Sequence, residues 1–306
     1  MITRRECLTA IAFAGVAAGS VDPAKMPICA FSKHFQWTGV KEMSELCKGF
    51  GYDGIDLTLR AGGHVLPERV EEDLPKAVAT IHAAGLSIPM VTADIVDAKT
   101  PHAEKVVKTL AAQGIKRYRW GGFKYVDNVP IPKQIEGFKA RTHELAALNR
   151  QYGVCAMYHT HSGPGQVGAS FWDLYLILKD EDTNAVAVNF DIGHATVEGG
   201  HGGWIHSTKL LLPFTRGIAV KDFKWIRNEK GAWVPGWCAL GQGMVNFRQF
   251  LAMVKAANFS GPLQLHMEYP ELGGANDGRT SFTIPKADLL AMMRRDMGTL
   301  KALLAA

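Results

Sequence analysis

In the stretch AMYHTHSG, residues 156–163, two imidazoles stand two positions apart at the end of an apolar run. If that run is a strand, His159 and His161 share one of its faces, because successive side chains alternate. Three later apolar runs end in the same way. Asp191 closes one within NFDIGHAT, Lys221 and Asp222 close another within AVKDFKW, and His266 and Glu268 close a third within LHMEYP. Neutral imidazole and ionised carboxylate are ligands for a divalent cation, and packing them together without one carries a large desolvation cost. His159, Asp191 and His266 are therefore the expected ligands of a divalent metal, with manganese, cobalt, zinc and magnesium all admissible. The matching chemistry is proton abstraction beside a carbonyl that the cation polarises. In that scheme Glu268 completes the metal shell or acts as base, and Lys221 or His161 stabilises the oxyanion or returns the proton.

These side chains meet only if their strands are neighbours in space. Beyond residue 27 the chain alternates short apolar runs with longer amphipathic stretches, and eight such pairs can be counted. The expected strands are 28–34, 54–59, 87–93, 115–120, 154–161, 185–191, 217–222 and 263–268. Helical stretches such as PKQIEGFKARTHELAALNRQYG and FRQFLAMVKAANF lie between them, several starting after Pro or Thr and ending in Gly. Strict alternation favours a parallel sheet, and eight units predict a single-domain α/β fold, the (β/α)8 TIM barrel. A doubly wound sheet would carry a Gly-rich phosphate turn after its first strand, and FSKHFQWTG is not one. In a barrel the strand C-termini line the mouth where chemistry gathers, which is where all the residues above fall. Arg119 and Trp120 end the fourth strand and are expected to bind substrate, the guanidinium donating to oxygens and the indole stacking on a sugar ring.

Composition narrows the partners. Lys and Arg total 34 against 29 Asp and Glu, a formal net charge of +5 without long single-sign blocks. That leaves no footprint for nucleic acid and no polybasic membrane patch. No run reaches the length of a membrane span. Cys29, Cys47, Cys155 and Cys238 are widely spaced without a CxxC pair, so no zinc ribbon or redox motif is indicated. Residues 1–20, MITRRECLTAIAFAGVAAGS, have the charged start, apolar middle and small-residue end of an export signal. Their Arg4-Arg5 pair resembles the twin-arginine type, which places the expected protein in the periplasm and its barrel domain in residues 21–306.

Three segments carry a family likeness: Asp191-Ile192-Gly193-His194 as a D-x-x-H loop, LGQGMVNF at 240–247, and FSGPLQLHMEYP at 259–270. Through them the chain from about residue 28 to 300 resembles the xylose-isomerase-like TIM barrel superfamily, the sugar phosphate isomerase/epimerase group. The resemblance implies a metal-binding Asp at Asp191 and a substrate-contacting His at His194. It also marks departures. His159 stands where the family has a Glu, Ala219 where it has a His, and His266 where it has a Glu, leaving Glu268 two residues on.

The expected ligand is a small sugar or keto-sugar, with a homo-oligomer left open, and the expected reaction is isomerisation or epimerisation. Two alternatives stay beside it. The same barrel can eliminate across a 3-keto-glycoside as a lyase, and a barrel that has lost catalysis can bind carbohydrate or a partner protein. Endonuclease chemistry would need more metal ligands and a basic groove, and neither is visible.

Overall fold

The computed structural model describes residues 26–306, so the segment read as an export signal lies outside the described residues. Ten strands run in chain order: β1 (Ile28–Phe31), β2 (Gly54–Leu59), β3 (Ser87–Ala93), β4 (Arg117–Trp120), β5 (Cys155–His159), β6 (Val186–Asp191), β7 (Thr215–Val220), β8 (Asp222–Arg227), β9 (Trp233–Cys238) and β10 (Leu263–Leu265). β1 to β7 and β10 close into one barrel, β10 bridging β7 and β1, and every pairing in it is parallel. The helices are α1 (Val40–Phe50), α2 (Val70–Ala83), α3 (Ala103–Ala112), α4 (Ile131–Tyr152), α5 (Trp172–Leu178), α6 (Ile192–Gly199), α7 (Gly203–Leu211), α8 (Phe247–Ala256) and α9 (Lys286–Ala305). This is the single-domain (β/α)8 barrel that the alternation predicts. Among the described residues no helix is long and apolar enough to cross a membrane.

Two apolar populations hold the barrel. The larger fills the layer between sheet and helices, where Phe35, Ile55, Leu110, Phe190, Phe250 and Leu300 are fully buried. The smaller plugs the barrel itself with Met90, Cys155, Met157 and Ala187. Polar side chains above this plug pair internally, as burial demands. Asn189 and Gln264 exchange amide hydrogen bonds of 2.9 and 3.1 Å, and the Thr92 hydroxyl donates to Asp56 at 2.9 Å. Burial pushes the Asp56 carboxyl up to about 7, against the pull of Thr92, Arg119 and Arg60. The folded state thus holds this proton more tightly than the unfolded chain, so its stabilising contribution is full below about pH 4 and fades as pH rises through about 7. Asp56→Asn is expected to flatten that part of the stability profile, by up to about 4 kcal/mol, in urea unfolding measured from pH 4 to 8. An equally steep profile in the variant would reject the assignment.

β5, β7 and β10 stop short of their expected ends, at His159, Val220 and Leu265, and the structure departs further from the expected elements at three places. β1 stops at Phe31, and Ser32–Phe35 turn into a short 3-10 helix. The His34 ring fixes that turn, its Nε2 accepting from the Met267 N–H at 3.0 Å and its Nδ1 donating to the Ala275 carbonyl at 3.2 Å. α6 was not foreseen: Asp191 Oδ1 accepts the His194 N–H at 3.0 Å and caps a helix over the DIGHATVEG segment. The third is an antiparallel hairpin, β8 paired with β9, standing between β7 and α8. Its one face carries Phe223, Trp225, Trp233 and Trp237 in register, with Trp225 and Trp233 exposed.

A backbone cradle fixes the base of this hairpin. The Asp222 carboxylate accepts N–H groups from Gly241, Gly243 and Val245 at 3.0, 2.9 and 3.2 Å. A Cβ at Gly243 would come within 2.2 Å of Asp222 Oδ1 and 2.3 Å of the Phe223 carbonyl, so only glycine admits the approach. The LGQGMVNF segment is thus a receptor for one carboxylate before it is anything else.

Candidate active site

Three elements deliver a triad to the top of the barrel. His159 ends β5, Asp191 ends β6, and His266 follows β10, its N–H donating to the Val220 carbonyl at 2.9 Å. One ligand atom from each lies within 4.8 Å of the other two. Asp191 Oδ2 stands 3.7 Å from His159 Nε2 and 4.0 Å from His266 Nδ1. Asp191 divides its work, for Oδ1 caps α6 while Oδ2 points inward and has no hydrogen-bond partner among the described residues. Neither ring nitrogen of His266 has one, although the residue is buried and its ring stacks on Phe31 at 4.6 Å. Each unpaired buried polar atom costs about 1–3 kcal/mol. An oxygen and imidazole nitrogens left unpaired around one point are what a divalent cation takes up, so the residues present fit a metal.

The rings are held in the form a metal binds. Burial drives the His159 pKa well below its usual value, with Arg119 and His161 adding to the effect, and burial does the same at His266. The Asp191 carboxyl is raised to about 6 by burial, against the pull of Lys221. Behind the triad, Asn189 Nδ2 lies 3.2 Å from His159 Nδ1, joining the ring to the Asn189–Gln264 pair.

Beside the triad sits a chain of proton-bearing groups. Lys221 Nζ is 2.7 Å from Glu268 Oε2 and 2.7 Å from His194 Nε2. It also approaches Asp191 Oδ2 to 3.3 Å, an ion contact without the alignment of a hydrogen bond. The second Glu268 oxygen takes a hydrogen bond from Lys33 at 2.7 Å. Burial would raise the Glu268 carboxyl, yet the Lys221 and Lys33 ammoniums outweigh it and hold the group well below the usual carboxylate range. At the far side of His194, Nδ1 faces the Ser162 N–H at 3.1 Å and the Ser162 hydroxyl at 2.7 Å. Ser162 can therefore serve either tautomer: its N–H donates a hydrogen bond to a bare Nδ1, and its hydroxyl accepts one from a protonated Nδ1. The Cβ missing from Gly193 would sit 2.7 Å from Lys221 Cγ, so glycine there is what lets the lysine lie against α6.

The structure brings together eight of the nine residues singled out from sequence. His161 joins the cluster with its ring 4.6 Å from His159 and 5.1 Å from His194, and its Nε2 3.4 Å from Arg119 Nη2. Burial, then Arg119 and Lys221, hold His161 near a pKa of about 3. Trp120 is the exception. Its indole N–H donates to the Val96 carbonyl at 2.8 Å and its ring packs on Phe123 and Tyr158, leaving no face for a sugar. The cause is strand alternation, which turns Arg119 inward and Trp120 toward the helices. Glu268 also needs correcting. It lies outside the groups of close ligand atoms, and with both oxygens held by lysines it makes a poor base.

Sequence reasoning missed Lys33, which lies 235 positions from Glu268 in the chain. Trp237, one of the tryptophans that the sequence puts in the late loops as a carbohydrate platform or rim seal, stands as a wall, with the ring 4.9 Å from that of His194 and 4.1 Å from Lys221 Nζ. The alternating FKWIRNEKGAWVPGW, with a turn centred on Asn228–Gly231, was the available signal for the hairpin that carries it.

A family model described as xylose isomerase-like TIM barrel matches residues 44–289. Several solved structures are similar in fold. One is a xylose isomerase-like TIM barrel protein from Mycobacterium smegmatis in complex with magnesium, 16% identical over 93% of this chain and 99% of that one, at a TM-score of 0.64. Another is a 3-keto-D-glucoside 4-epimerase from E. coli, 14% identical over 91% of this chain and 100% of that one, at 0.65. A third is the IOLI protein with a bound zinc atom, 15% identical over 92% and 98%, at 0.68. No curated protein matches the chain by sequence.

Proposed function

Because the chain belongs to the xylose isomerase-like TIM barrel family, we propose that it is a metal-dependent sugar or keto-sugar isomerase or epimerase that moves a proton at the carbon beside a carbonyl. One observation carries the reading: an amine, Lys221, sits within hydrogen-bond distance of an acid and an imidazole while abutting the unpaired oxygen of the His159–Asp191–His266 triad. A divalent cation held by that triad would supply Lewis acidity toward the carbonyl oxygen. The protein's own groups handle the proton. The Lys221 ammonium first passes a proton to His194 Nε2 across their 2.7 Å contact, the ring's other nitrogen facing Ser162, and the free amine so formed takes the proton from carbon. Glu268 positions Lys221, and Lys33 holds Glu268 in turn. Trp237 closes one side against water.

Return of the proton to the opposite face of the same carbon gives an epimer, and its return to the former carbonyl carbon gives an isomer. Loss of a leaving group from the next carbon instead gives the lyase outcome, which shares the first step. Reading residues 1–20 as a periplasmic export signal belongs to the same proposal. The test is to load the protein with manganese, zinc or magnesium and incubate it with ketohexoses and 3-keto-glycosides in D2O. Deuterium entering beside the carbonyl, seen by NMR and stopped by chelator, is the expected result. Absence of exchange with every metal would leave the binding-only barrel in place of an enzyme.

A further inference from the structure

The mouth of the barrel carries more positive charge than its acids offset. Lys33 and Lys221 share Glu268, which leaves two guanidinium groups to be accounted for. Arg60, directly after β2, and Arg119, within β4, lie 5.9 and 5.8 Å from the centroid of the same Phe31 ring. Neither uses its donors well. The only hydrogen-bond partner of the Arg119 fork among the described residues is His161 Nε2, at 3.4 Å. Arg60 Nη1 comes no closer than 3.9 Å to Asp94 Oδ1, and the Asp94 side chain is 62% exposed, where solvent screens it. Asp56 attracts both guanidiniums, but burial keeps much of it protonated up to about pH 7, so it balances them only in part. After burial itself, the charge of Arg60 is what most depresses the Arg119 pKa, so the two groups repel one another. A cation at the neighbouring triad would add to the excess.

Two planar forks with unspent donors, both set against the Phe31 ring despite their repulsion, match an oxyanion that accepts from both. We propose that Arg60 and Arg119 form a subsite for an anionic group carried by the substrate, the carboxylate of an acidic sugar or the phosphate of a sugar ester. The subsite adjoins the triad through Phe31, whose ring stacks on His266 at 4.6 Å, so one sugar-sized ligand spans both. This inference rests on the proposed sugar reading of the mouth, and it names a class of sugar that the reading leaves open.

The experiment is calorimetric titration of the full, metal-loaded chain with D-glucuronate, D-glucose 6-phosphate, D-glucose and inorganic phosphate. At least one acidic sugar is expected to bind about 10- to 100-fold tighter than glucose, the span of a charge-assisted hydrogen bond. Arg119→Gln and Arg60→Gln should each remove most of that advantage, and Arg60→Gln should leave glucose binding unchanged. Arg60 lies at the rim, so its variant keeps the test valid if Arg119→Gln folds poorly by circular dichroism. Preference for glucuronate assigns the site to carboxylates, and preference for the phosphate ester assigns it to phosphates. Glucose binding as tightly as both acids overturns the oxyanion subsite and leaves the sugar reading standing. Inorganic phosphate bound without any sugar, and lost in both variants, supports the arginine pair and overturns the sugar reading. No binding of any probe overturns both.

Discussion

Asp191→Asn is expected to abolish stoichiometric metal binding while leaving the fold intact. The substitution keeps the size of the side chain and an oxygen to accept the His194 N–H, so the cap on α6 survives. It removes the charge at Oδ2, the atom that faces His159 Nε2 at 3.7 Å and His266 Nδ1 at 4.0 Å. Two neutral imidazoles without the carboxylate make a weak site for a hard or borderline cation. Elemental analysis of dialysed protein should give close to one equivalent of metal for the natural chain and a small fraction of that for the variant. Melting provides an independent readout, because an ion bound only by the native state stabilises it by about 2.7 kcal/mol at a hundredfold excess over Kd. For a chain of this size that is a shift of about 5 °C, present in the natural protein, removed by chelator and missing from Asp191→Asn. Full metal content in the variant would place the ion elsewhere and detach the proposed chemistry from the triad.

Lys221→Met should lower turnover by about 10²- to 10⁴-fold, the usual contribution of a positioned acid or base, and leave metal content unchanged. Methionine fills the same channel beside Gly193 without an ionisable end. It leaves Glu268 with Lys33 as its one remaining cation, so some loss of stability accompanies the change. Lys221→Gln, which still offers a hydrogen-bond donor to Glu268, separates that structural cost from the loss of proton transfer. Both variants should fail to exchange deuterium beside the carbonyl. If either exchanged it at the natural rate, the proton would have to travel by His161 instead.

The barrel was legible in the sequence because its signal is periodic: eight apolar runs, each followed by an amphipathic stretch, leave few other topologies. The site was legible for the same reason, since strand ends in such a barrel converge and the polar residues at 159, 161, 191, 221 and 266 all end a strand or follow one within two residues. What stayed hidden depends on contacts rather than period. Lys33 reaches Glu268 only because β1 and β10 are neighbours at the closing seam of the barrel. Trp120 was misplaced because a residue's position at a strand end does not say which face it takes; its neighbour Arg119 holds the inward one. α6 was obscured by the glycines of DIGHATVEGG, and one side-chain cap from Asp191 overrides them.

The anchoring of Asp222 has a bearing on how this protein can be altered. Three main-chain amides from residues 241–245 grip that carboxylate, so the ends of the excursion from residue 222 to 245 are stapled together. Beyond the Phe223–Trp237 pair, which keeps Trp237 against the adjacent lysine, the intervening ribbon can accordingly be shortened, lengthened or replaced by a foreign one. For an engineer, its outer end is the natural graft point for changing what the mouth of the barrel presents while leaving the surroundings of Lys221 untouched.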